Sequence, residues 1–141
     1  MNKTPPIAEK FIQIDNSVLR LTAANPSFMT GAGTNTYIIG NNDFLVIDPG
    51  PNIPKHIDML LSATEGNISY LVATHTHPDH SEAVKPLAKL TGAKVIGKSP
   101  PNDQDHDQTF KPNREINDGD IINIEDIEIM AIETPGHASN H

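Results

Sequence analysis

Within the six residues HTHPDH, positions 75 to 80, the chain places His75, His77, Asp79 and His80 directly after the apolar stretch Ser69 to Thr74. Three imidazoles and a carboxylate at the exit of a buried strand suit a metal ion better than a solvated surface. Residues two apart just past a strand can point to one side, so His75 and His77 can converge on one ion while Thr76 faces away. Pro78 then turns the chain, which can aim Asp79 and His80 at a second metal position nearby. A catalytic zinc ion is held by about three protein ligands and keeps a fourth position for water. Its charge brings the pKa of that water to about 7, and the resulting hydroxide can attack a carbonyl or phosphoryl group that the metal polarises. The chemistry in view is hydrolysis. Asp79 has a second reading, because with Glu82 three residues later it fits a helix capping box. His56 and His106 stand alone in the sequence and read as solvated side chains.

The elements that must position this cluster follow from hydrophobic period and punctuation. Phe11 to Ile14, Val18 to Thr22, Asn35 to Gly40 and Asp43 to Asp48 read as strands, with Asn41 and Asn42 turning a hairpin between the last two. Ile53, Ile57, Leu60 and Leu61 recur at helical spacing from Ile53 to Ser62, with Pro54 suited to the first turn and Gly66 to a left-handed stop. Ser69 to Thr74 is a nearly continuous apolar strand that delivers the chain into HTHPDH. A second helix carries Ala83, Val84, Leu87 and Ala88 inward and closes at Gly92, and Pro86 should kink it if it begins near Asp79. Strand Ala93 to Lys98 follows. Ser99 to Asp118 is rich in Pro, Asn, Asp and Gln and reads as a long surface loop, a natural border for an active site. Asp120 to Ile124 and Ile127 to Ile132 form a last hairpin before TPGHASNH. The expected fold is α/β, with helices covering a mixed sheet.

Composition bounds the chemistry. The chain has 141 residues, one domain's worth, and no cysteine, so imidazole and carboxylate are the groups left to hold a metal. A formal net charge of −8 argues against a broad basic surface for nucleic-acid backbones. The start, MNKTPPIAEKF, lacks the apolar run of a signal peptide, and no stretch approaches the roughly 20 apolar residues of a membrane span. The expected location is the cytoplasm, with no membrane partner.

HTHPDH resembles the HxHxDH signature of the metallo-β-lactamase superfamily. LVIDPG, from Leu45 to Gly50, resembles that family's early strand ending in an aspartate, and TPGH, from Thr134 to His137, resembles its third metal motif. GTNTYIIG and TPGHASNH are most similar to the branch of hydroxyacylglutathione hydrolases and β-lactamase-like endoribonucleases. The resemblance implies the N-terminal half of an αββα sandwich. It implies that His75, His77 and His137 hold a first zinc, while Asp79 and His80 hold a second and Asp79 serves the reaction. It further implies that Asp48 is a buried carboxylate that accepts a hydrogen bond from a ligand histidine and orients it. Without the family, Asp48 before Pro49 and Gly50 is a turn residue and His137 a loop histidine; His141 receives no ligand role.

The family pattern also includes a metal-bridging aspartate and a final histidine beyond the four residues that follow His137 here. The domain is therefore expected to be incomplete, with an uncovered apolar face inviting self-association. The leading expectation is a zinc hydrolase acting on an ester, thioester or phosphodiester, in a small molecule or in RNA. Two others accompany it: a mononuclear iron enzyme resembling persulfide dioxygenases, using His75, His77 and His137, and a non-catalytic metal-binding fragment.

Overall fold

A computed structural model of the chain describes residues 4–141. It begins as an antiparallel meander of β1 (Phe11–Asp15), β2 (Val18–Thr22), β3 (Asn35–Gly40) and β4 (Phe44–Ile47). The sheet then continues in parallel through β5 (Ile68–Val72), β6 (Lys94–Gly97) and the two-residue β7 (Arg114–Glu115), giving seven strands in chain order. Parallel neighbours need crossovers. Helix α1 (Pro54–Thr64) supplies the first, and α2 (Pro78–Ser81) with α3 (Val84–Thr91) the second. A separate hairpin, β8 (Ile121–Ile124) and β9 (Ile127–Met130), completes the set.

Strand alternation divides the apolar residues between two faces. Val46, Leu71 and Val95 face the helices and pack with Ile57, Leu60, Val84 and Leu87 in the main core. Their neighbours Leu45 and Ile96 face the other way and pack with Ile122 and Ile124 of the hairpin. The result is the expected mixed-sheet α/β layering, with an apolar layer on each side of the sheet.

Element boundaries differ from the sequence reading where local chemistry decided. In α1, Pro54 occupies the first turn, but the left-handed cap is Glu65 at φ 50°, one residue before Gly66. The expected second helix is two pieces, with the break at Glu82 and Ala83. Pro86 thereby falls in the first turn of α3, where its missing N–H and its ring cost little. Gly92 closes α3 in the left-handed conformation, as its position suggested. The segment from 99 to 118 is more than a surface excursion. Phe110 is buried in the main core, Asp107 and His106 are buried, and Arg114–Glu115 pairs with β6. Phe110 on one side of the sheet and Ile116 on the other pin the segment, and the polarity of the residues around them concealed it.

Candidate metal centre

Asp48 follows β4, and Thr74 and His75 follow β5, so the polar cluster lies beyond the carboxyl ends of parallel strands. This is the edge where open α/β sheets usually bind ligands. Asp48 is buried and adopts a left-handed φ of 49°, uncommon outside glycine, which turns its side chain back over the end of β5. One of its oxygens accepts the backbone N–H of Thr74 at 2.7 Å. The other accepts the Thr74 hydroxyl and lies against His80 Nδ1, both at 2.9 Å. The Asp48 turn is itself braced. Thr36 donates to the Asp48 carbonyl at 2.7 Å, and His56 Nε2 lies 3.0 Å from the same Thr36 oxygen. Thr36 and His56 thus hold the turn together from its inner side.

His56 is therefore buried rather than solvated, and burial lowers its pKa against the opposing hydrogen bond with Pro49. The signal was its place four residues before Leu60 and eight before Thr64, on the inner face of α1.

The Thr74 hydroxyl spends its proton on Asp48, so its oxygen accepts from His75 Nδ1 at 3.0 Å. That bond leaves the lone pair on His75 Nε2. It lies 3.1 Å from His77 Nδ1, which in turn lies 3.0 Å from His137 Nε2. Three imidazole nitrogens from two loops 60 residues apart thus lie within 4.8 Å of one another. A tetrahedral ion with metal–nitrogen distances of about 2.0–2.1 Å would set its ligands about 3.3 Å apart, so the donor set suits such an ion. Burial first, and then the positive forms of His80, His77, His141 and His137, together lower the His75 pKa to about 3. Burial and His137 also lower His77. Both rings are held neutral, the state a metal requires of them.

Asp79 and His80 lie beside this group and not within it. Asp79 accepts the hydroxyl of buried Thr34 at 2.8 Å and lies 3.3 Å from His80 Nε2. The N-cap of α2 is His77 without a side-chain cap, so Asp79 is not a capping residue. Burial is the largest influence on His80 and lowers its pKa. The hydrogen bond to Asp48 and the charges of Asp48 and Asp79 outweigh it, leaving the pKa raised. His141 sits against the site, its ring 5.1 Å from that of His75 and its Nδ1 bonded to Thr134.

The third histidine is delivered by Thr76. This spacer does face away from His75 and His77, and it is buried. Its hydroxyl accepts the side-chain amide of Asn140 at 2.8 Å, and its carbonyl accepts the backbone N–H of Asp107 at 2.7 Å. Both distant loops are therefore tied to the residue between the two ligating candidates. Thr34, Thr74, Thr76 and Asn140 were not singled out from the sequence, because a hydroxyl or amide carries no spacing signature.

Residues 29–141 match the metallo-beta-lactamase superfamily along most of the chain. The chain belongs to that superfamily. Among similar sequences, an atrochrysone carboxyl ACP thioesterase of Cryptosporiopsis sp. (strain 8999) is 33% identical over 98% of this chain and 42% of its own length. A lactamase-like protein of Pestalotiopsis fici is 34% identical over 99% of the chain and 44% of its own. Among solved structures, a Cronobacter sakazakii metallo-beta-lactamase with a HARLDQ motif aligns at TM-score 0.75 and 19% identity, covering 93% of this chain and 57% of that one. Metallo-beta-lactamase GOB-18 from Elizabethkingia meningoseptica aligns at 0.74 and 17%, covering 99% and 56%. The chain spans about two fifths of the curated relatives' length and somewhat over half of these metallo-beta-lactamase structures. The fold is accordingly the N-terminal half of the superfamily's layered α/β domain. Among the described residues no helix is long and apolar enough to cross a membrane.

Proposed function

We propose that this chain is the metal-holding half of a zinc-dependent hydrolase that cleaves thioesters. The reading rests on one observation, the convergence of His75 Nε2, His77 Nδ1 and His137 Nε2 within 4.8 Å of one another, with His77 Nδ1 at 3.1 and 3.0 Å from the other two. In this reading those three side chains hold the first ion, and Asp79 with His80 contributes to a second. Bound zinc would supply a Lewis acid and a water that ionises near neutral pH. The protein's part is positional. Asp48 and Thr74 fix the His75 ring with its lone pair outward, Asp48 also fixes His80, and Thr34 restrains Asp79. The thioester is favoured among esters and phosphodiesters because relatives at 31–34% identity include ACP thioesterases.

One observation favours a mononuclear alternative of the iron dioxygenase kind: the three-histidine group forms without Asp79 and His80, which instead lie against each other. Metal analysis separates the two. Two zinc ions per longer chain with thioester hydrolysis support the proposal, and a single iron with oxygen consumption overturns it. His77→Ala should abolish metal retention in either case. The residues are further proposed to form one domain that belongs to a longer chain and works in the cytoplasm.

A further inference from the structure

Of the two buried histidines outside the three-histidine group, His106, in the segment before β7, is the one that faces it. Its ring centroid lies 4.8 Å from that of His77, with the planes tilted by 36°. Nδ1 lies 2.6 Å from Asp103 Oδ1, and Nε2 is sealed from solvent with no hydrogen-bond partner among the described residues. Burying an unpaired ring nitrogen costs stability, so its presence beside a polar site needs a reason.

The surrounding contacts supply one. Asp107 is joined once to the HTHPDH segment, through its N–H to the Thr76 carbonyl, and once to the residue after it, through its carboxylate from the Ser81 hydroxyl at 3.1 Å. Thr109 donates twice more to the Asp107 carboxylate, and Phe110 anchors the following turn in the core. The residue next to this clamp is thus held in register with His77, and Asp103 fixes the rotation of its ring. His77 has no hydrogen bond of the kind that Thr74 gives His75 or Asp48 gives His80; its described ring partners are His75 and His137 within the cluster, and His106 behind it.

We infer that His106 is a positioning residue that backs the His77 ring and keeps Nδ1 turned toward His75 and His137. The inference rests on the three-histidine reading, and its test separates the two. Zinc affinity of the 141-residue chain is measured by competition with a chromogenic chelator, and the cobalt(II) absorption spectrum and metal-free thermal midpoint are recorded in parallel. His106→Ala is expected to lower zinc affinity about 10-fold or more and to alter the cobalt spectrum, with little change in the metal-free midpoint. His106→Phe, which restores a ring against His77, should recover affinity to within about threefold of the parent. Asp103→Ala should shift affinity in the same direction as the alanine at 106, and its metal-free midpoint reports whether the turn that Asp103 holds through the N–H groups of Asp105 and His106 survives. Parent-like affinity and spectrum in both alanine variants overturn the inference. Equal losses in His106→Ala and His106→Phe, accompanied by a lowered metal-free midpoint, also overturn it, since they show packing of the segment alone. If the parent chain takes up neither zinc nor cobalt, the three-histidine reading itself fails.

Discussion

His75 shows how the fold sets the protonation of a single side chain. Its proton is drawn to Nδ1 by Thr74, its Nε2 is bare, and burial keeps the ring neutral. This has a consequence for stability, because the folded pKa of about 3 lies below the ordinary 6.5. An unfolded chain binds the proton first as the pH falls, so the contribution of His75 is complete above 6.5 and drains away toward 3. Between pH 8 and pH 5 the metal-free chain should lose about 2 kcal/mol on this account. His77, also lowered, adds to the loss, whereas the raised His80 contributes stability at low pH that disappears as the pH rises through its folded value. Denaturant titrations at pH 8 and 5 measure the difference, and His75→Asn should flatten it. A slope unchanged by that substitution would show that His75 does not carry the acid sensitivity.

The loops, more than the strands, assemble the site, and Thr76 is where they meet. Replacing it by valine preserves shape while removing the acceptor for the buried Asn140 amide. Thr76→Val should cost about 1 kcal/mol, since the Asn140 amide keeps one longer bond of 3.4 Å to the Ser99 carbonyl. It should also weaken zinc retention through His137 while leaving the His75 environment intact. Unfolding free energy and zinc competition together check this, and unchanged affinity would mean that the 134–141 loop holds His137 without Asn140. The turn after β4 is similarly constrained. Gly50 has φ +91°, and a Cβ there would approach His56 Nε2 to 2.9 Å. Gly50→Ala should therefore destabilise by more than about 1 kcal/mol and disturb the bond between His56 and Thr36, read as a new His56 environment by NMR.

On the scale of the whole molecule, the chain leaves apolar surface open. Met130 and Ile132, at and just beyond the end of β9, are 57% and 70% exposed. They border a cavity of about 220 Å³ that Ile47, Val72, Ile116 and His141 also line. Exposed apolar surface of this kind favours association, so sedimentation velocity should show concentration-dependent self-association that Ile132→Lys reduces. A monomer at every concentration would contradict that expectation. Much of this architecture was legible in the residues. Alternating and continuous apolar runs gave the strands, helical spacing gave α1 and the inner face of α3, and HTHPDH placed His75, His77, Asp79 and His80 on one short segment. These signals survive in one dimension because their periods and spacings are local. For His137 and Asp48 the spacing was silent and only the resemblance of TPGH and LVIDPG to family motifs implied a role; the tertiary structure decided that His137 reaches His75 and His77, which groups Asp48 bonds, and that His56 and His106 are buried. Each depends on which distant backbone groups a hydroxyl, amide or carboxylate meets after the sheet closes, and a chain's own order of residues does not encode those encounters in any repeating form.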